Sequence, residues 1–160
     1  MILHTIAPQL TTARRQEPLP DVSSPFVPVG HLARDVDVID AGMPCPDLAP
    51  RFASGYVSSV AVVDRADPAR IGLVSRERFQ LASSGTLGYG RALLARRPVG
   101  EITDWEPLCV HPGEPFVDVV GRAMRRGPAR RFDDVLVAGH VWGVVATADL
   151  VRLLVESTRA

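Results

Sequence analysis

The chain contains no lysine: its eighteen basic residues are all arginine, matched by eighteen Asp and Glu for a formal charge of zero. A balanced charge sets up no overall field to draw the protein to nucleic acid or an anionic membrane, so neither is expected as a partner. With abundant Ala, Val and Pro, the lack of lysine reads as a GC-rich coding bias rather than a demand for guanidinium geometry. Cysteine is also scarce. Cys45 and Cys109 lack metal-ligand spacing, which argues against structural zinc and suits reduced thiols in a cytoplasmic protein. No stretch approaches about eighteen uninterrupted apolar residues, and the start has no basic segment leading into an apolar run. Neither a membrane span nor a signal peptide is expected. The four histidines, His4, His31, His111 and His140, are scattered without ligand-like spacing or a nucleophile partner, so the sequence predicts no catalytic residues, no metal and no enzyme activity.

What is present is enough apolar residue, 46% of 160, for a substantial core. Residues 1–27, rich in Thr, Pro, Ser and Gln, read as an arm. Beyond them the chain repeats itself. Pro28-Val29-Gly30 recurs as Pro98-Val99-Gly100, an offset of 98 − 28 = 70, and Ile71-Gly72-Leu73-Val74 matches Trp142-Gly143-Val144-Val145, offset by 143 − 72 = 71.

The second repeat is the clearer. Leu108-Cys109-Val110 predicts a strand closed by Pro112-Gly113, and a helix opens at Glu114-Pro115. Phe116, Val119, Val120, Ala123 and Met124 fall on one face of that helix. Val135–Val137 and Val141–Val145 flank Ala138-Gly139-His140 as a hairpin. Thr147 is placed to cap a last helix bearing Leu150, Leu153 and Leu154. The order is β-α-β-β-α. The first repeat follows it with Val36–Ile39, Leu48–Phe52, Val60–Val63, Ile71–Val74 and Phe79–Ala82, but Pro44, Pro46 and Pro50 predict a shortened or distorted first helix. The fold class is α/β (α+β).

This doubled unit resembles a tandem pair of CBS motifs, the Bateman module, over about residues 28–157. The resemblance implies a pseudo-two-fold packing of motif 1 (28–83) and motif 2 (98–157) through a linker (84–97). Gly72-Leu73-Val74-Ser75-Arg76-Glu77-Arg78-Phe79, followed by Ser84-Gly85-Thr86-Leu87-Gly88-Tyr89-Gly90, is similar to CBS pairs found ahead of bacterial diguanylate cyclase (GGDEF) domains. It implies a cytoplasmic regulatory homodimer with a downstream protein partner. Its ligand would be AMP, ADP, ATP or another adenosine derivative, with no cofactor.

In CBS pairs that hold such ligands, a Ser or Thr three residues after the hairpin glycine meets phosphate and an Asp six residues after it takes the ribose hydroxyls. A helix N-terminus favours an anion, and a first-turn carboxylate can accept from two vicinal hydroxyls. Each repeat keeps half of this pattern. The first has Ser75 with Arg78 in the Asp position; the second has Asp149 with Ala146 in the hydroxyl position. The candidate ligand residues are therefore Ser75 and Asp149, Thr147 as a hydroxyl one position late, and Arg76 and Arg78 as phosphate contacts. The structural alternative has Ser75 and Thr147 as helix caps, Asp149 as a first-turn charge, and the two arginines as solvated surface. The functional alternative is a ligand-independent dimerisation module whose nucleotide sites have decayed.

Overall fold

The computed structural model describes residues 26–85 and 89–159, so all but the last two residues of the expected arm, and linker residues 86–88, lie outside the described residues. Seven strands and four α-helices follow one another within them: β1 (Arg34–Asp35), β2 (Val38–Asp40), β3 (Ser59–Asp64), β4 (Asp67–Ser75), α1 (Arg76–Ser84), α2 (Gly90–Leu94), β5 (Cys109–Val110), α3 (Phe116–Met124), β6 (Val135–Ala138), β7 (Trp142–Val145) and α4 (Thr147–Ser157).

They form two sheets, β2-β3-β4 and β1-β7-β6-β5. In each, a short strand runs parallel to the first strand of an antiparallel hairpin: β2 beside β3, and β5 beside β6. The registers align the repeats, since Val38 faces Ala61 as Cys109 faces Leu136. Alternation along the central strands separates three cores. Val60 and Val62 turn one way and Ala61 the other; Val135 and Val137 turn one way and Leu136 the other. Ala61, Leu73 and Leu136 meet in a central cluster flanked by Ile71, Cys109 and Trp142.

The two outer cores are built by exchange. Val27 and Val29 precede the first repeat's strands yet pack with Val110, Phe116, Val119 and Leu150 of the second. Val99 and Ile102 open the second repeat yet pack with Ile39, Leu48, Val60 and Val74 of the first. Val29 and Val99 are fully buried, and each such valine contributes about 1.5–3 kcal/mol. The backbone approach that permits this is close. A Cβ on Gly30 would lie 2.7 Å from the Pro112 side chain and 2.9 Å from its carbonyl oxygen.

The helices follow their local sequence. α3 buries Phe116, Val119, Val120 and Ala123, the face expected from their spacing. Its counterpart in the first repeat is a single 3-10 turn, Cys45–Leu48: its N-cap is Pro44, Pro46 sits in the first turn where no donor is needed, and Pro50 stands where a continued helix would need a donor to the Pro46 carbonyl. Cys45, Leu48 and Phe52 still point inward. The helix is shortened, but its apolar face survives.

Candidate functional site

The exchange of segments brings residues of both repeats together at the start of α4. β1 pairs with β7, Arg34 opposite Val144 and Asp35 opposite Gly143, which carries the first repeat's chain over the second repeat's hairpin. A cleft of about 260 Å³ opens there, bounded by 34–37 and Tyr56–Ser59 on one side and by Val144, Ala146 and Asp149 on the other. Asp149 stands on the first turn of α4, one-third exposed, with Arg34 at 3.5 Å and Arg152 at 3.0 Å. The N-cap of α4 is Ala146, which offers no side-chain acceptor, so the positive end of an eleven-residue helix reaches the cleft without a side-chain cap.

Thr147 is not that cap. It is fully buried one residue inside the helix; its hydroxyl donates to the Asp133 carbonyl at 2.7 Å and accepts from the Arg126 guanidinium at 3.2 Å. A helical residue directs its side chain back along the turn, here into the loop before β6, away from the orphan amides.

Ser75, Arg76 and Arg78 lie on the other side of the pseudo-two-fold, at the start of α1. Ser75 caps α1: its hydroxyl accepts from the Arg78 backbone N–H at 3.1 Å. Arg76 donates to three carbonyls of the preceding loop, Phe52 and Val57 at 2.6 Å each, and Ser54, while its guanidinium lies 5.6 Å from the Phe52 ring centroid. Its donors are turned inward. Arg78 stands near Asp133, whose carboxyl is raised above its usual range by burial, against the pull of Arg126 and Arg78. Arg130 reaches across this side to bond the Asp104 carboxylate and the Glu106 carbonyl. The hydrogen bond to Asp104 holds the guanidinium in its charged form.

The two sides are thus unlike. Asp149 shares its side with Arg34; Ser75 and Arg78 share theirs with Asp104, Asp133 and Arg130, and an arginine side chain already bridges the polar groups there. Residue types alone did not single out Arg34, Tyr56 or Arg130. A signal existed for Arg34: advancing it by the repeat offset of 70 gives Asp104, and setting Asp149 back by 71 gives Arg78, so the same two charges recur exchanged. No local pattern marks Tyr56, and Arg130 stands out only within the dense basic run of Arg122, Arg125, Arg126, Arg130 and Arg131, which reads as solvated surface.

No family model matches the chain, and no curated protein matches it. Solved structures do. A CBS domain protein, PAE2072 from Pyrobaculum aerophilum, complexed with AMP, has 20% identity and a TM-score of 0.61 over 84% of this chain and 100% of that one. The CBS-pair protein CBSX2 from Arabidopsis thaliana has 18% identity and a TM-score of 0.60 over 83% of this chain and 97% of that one. The CBS-domain containing protein ATU1752 from Agrobacterium tumefaciens has 18% identity and a TM-score of 0.60 over 81% and 94%. The chain has the mixed α and β fold of a CBS-domain pair. Among the described residues no helix is long and apolar enough to cross a membrane, and no cluster of His, Cys, Asp and Glu has the makings of a metal site.

Proposed function

We propose that this protein is a non-catalytic, cytoplasmic regulatory module that binds one adenine nucleotide or related adenosine derivative in the cleft beside Asp149. The observation that carries the reading is the combination at the start of α4. A first-turn carboxylate and an open helix N-terminus line one cleft, where a ribose diol and an anion can be held a few ångströms apart. The AMP complex of PAE2072 supports an adenosine ligand for this fold.

In this reading Asp149 accepts from the ribose hydroxyls and Arg34 flanks the phosphate. Thr147 holds the floor of the helix start, Arg76 holds the loop that brings Tyr56 and Val57 to the cleft, and Ser75 and Arg78 order the opposite side. Residues 28–83 and 98–157 act as the two motifs, joined by the linker 84–97 and preceded by the arm 1–27. The module works as a homodimer and passes its ligand state to a downstream protein, as the likeness of its linker to those ahead of diguanylate cyclases suggests.

The test is the melting temperature of the purified protein with AMP, ADP and ATP. A ligand at about 100 times its Kd adds about 2.7 kcal/mol, and the account expects a rise that Asp149→Ala abolishes. A second reading, a ligand-independent assembly module, draws on the exposed apolar residues Leu81, Tyr89 and Leu93 around α1 and α2. It predicts a dimer by light scattering whose melting temperature ignores every nucleotide.

A further inference from the structure

The pseudo-two-fold gives the second side of the molecule counterparts for the walls of the Asp149 cleft, and one side chain that the cleft lacks. Asp104 bridges Leu73 in the antiparallel sense as Arg34 pairs with Val144, offsets of 104 − 34 = 70 and 144 − 73 = 71. Ser75 and Arg78 stand where Ala146 and Asp149 stand. The strand registers set Leu136 on Ala61, 136 − 61 = 75, which matches Asp133 and Asp134 to Ser58 and Ser59 of the cleft. The same count takes Arg130 back to Gly55, 130 − 75 = 55. Gly55 has no side chain, and nothing lies within 4 Å of where one would start. Arg130 does the opposite. From the loop before β6 its guanidinium crosses to the segment at Asp104, where it bonds the Asp104 carboxylate and the Glu106 carbonyl and stands 3.8 Å from the Glu106 carboxylate.

The charges of the two sides are exchanged as well. The first presents a guanidinium, Arg34, where the second presents a carboxylate, Asp104, so a phosphate suits the one and a cation with several N–H donors the other. The Asp104 side chain is 15% exposed; one of its oxygens accepts from the Glu106 N–H at 3.0 Å, and Arg130 supplies the donor to the other. The loop that delivers Arg130 is itself fixed. Arg130 N–H donates to the Gly127 carbonyl at 2.9 Å, Asp133 N–H donates to the Arg130 carbonyl at 3.2 Å, and Arg126 donates to the carbonyls of Arg131 and Asp133. A guanidinium carried on a fixed loop loses little freedom on docking and is present at a high effective concentration, so it outcompetes a free cation. We propose that the second cleft is a guanidinium site which the chain fills with its own Arg130, and that Arg130 against Gly55 decides which of the two clefts is open to an external ligand. The second side is then held closed whatever the first contains, and a module of two repeats answers to one ligand. The choice between clefts rests on the nucleotide reading above; the guanidinium site does not.

The experiment is chemical rescue of Arg130→Ala in the full chain by methylguanidinium, read as melting temperature. Arg130→Ala should melt roughly 4–12 °C below wild type, since a mostly buried carboxylate loses its charged partner. Low-millimolar methylguanidinium should restore at least half of that deficit and leave wild type, whose site is filled, unchanged. Tetramethylammonium, with the same charge and no N–H donor, should restore none of it. Asp104→Asn/Arg130→Ala removes the carboxylate too and should gain nothing from methylguanidinium. An Arg130→Ala protein too weak to melt cooperatively should regain a cooperative melt in methylguanidinium and not in tetramethylammonium. Equal effects of the two cations, rescue that survives Asp104→Asn, or an Arg130→Ala melt equal to that of wild type would each overturn the guanidinium site. Titration calorimetry with AMP reads the choice between clefts, and one equivalent per chain is expected for both wild type and Arg130→Ala. A second equivalent in wild type would overturn the closure by Arg130, and a second in Arg130→Ala alone would overturn the preference of the vacated cleft for a cation. No AMP binding by either protein removes the nucleotide reading and the choice between clefts with it, while the rescue still decides the guanidinium site.

Discussion

Asp134, at the mouth of β6 in the second repeat, accepts hydrogen bonds from the Ser59 hydroxyl at 2.7 Å and the Ser58 hydroxyl at 2.6 Å, both at the start of β3 in the first. One carboxylate, 9% exposed, therefore ties the central strands of the two sheets at the same height where Ala61 and Leu136 pack. Hydrogen bonds to a charged acceptor are worth more than neutral ones, and a buried acceptor cannot be replaced by water.

Removing that tie should loosen the repeats from each other. Asp134→Ala is expected to cost about 2–3 kcal/mol and to lower the melting temperature by roughly 4–12 °C. Asp134→Asn, which keeps one oxygen, should lose less. Differential scanning calorimetry measures both. An unchanged Asp134→Ala melt would mean that the bonds exchange with water at no cost.

A second prediction concerns the close crossing at Gly72. A Cβ there would lie 2.3 Å from Thr103 Cγ2 and 2.8 Å from the Asp104 carbonyl oxygen, and that backbone is pinned by the mutual bonds of Leu73 and Asp104 at 2.9 Å. Gly72→Ala should therefore destabilise by about 3 kcal/mol through overpacking. Gly55→Ala, where nothing lies within 4 Å, should not. Chemical denaturation of the pair isolates the crossing.

Acid stability should depend on Glu114. Its carboxylate accepts from the His111 backbone N–H at 2.8 Å and pairs with Arg122, and the backbone bond is the larger cause that holds its pKa below the ordinary 4.5. A depressed carboxyl binds fewer protons folded than unfolded, so its stabilisation is complete above about pH 4.5. It is lost as pH falls through the lowered folded value. Glu114→Gln should lower the melting temperature at pH 7 and narrow its gap to wild type below about pH 4. A gap constant with pH would contradict the assignment.

Asp133 should behave oppositely. Burial raises its carboxyl pKa, so the folded state binds the proton more readily than the unfolded one. The stability that its protonated form contributes is lost as pH rises from about 3.8, the ordinary value, through the raised one. Asp133→Asn should therefore leave the melting temperature unchanged below that window and raise it above. A fall at pH 7 would show that Arg126 and Arg78 more than offset the desolvation.

Much of this architecture was legible in the residues because the repeat, the hairpin glycines and the face of α3 all follow from short periods. The distortion of the first helix was legible too, since proline acts on its own turn. The exchange of Val29 and Val99 between cores was not: two like segments can trade places without altering any pattern of polarity. Thr147 was misread as a cap because sequence fixes the N-cap only to within a residue, and Ala146 holds that position. The clamp formed by Arg76 was invisible for a different reason. Its acceptors are carbonyls of an irregular loop, and every residue supplies a carbonyl.

Backbone hydrogen exchange with and without saturating AMP tests the central claim most directly, because it asks at once whether a ligand binds and on which side of the pseudo-two-fold. The account predicts slower exchange confined to residues 34–37, 56–59 and 144–149, with 73–78 and 104–106 unchanged. Protection of 73–78 without 144–149, or no protection anywhere, would contradict it.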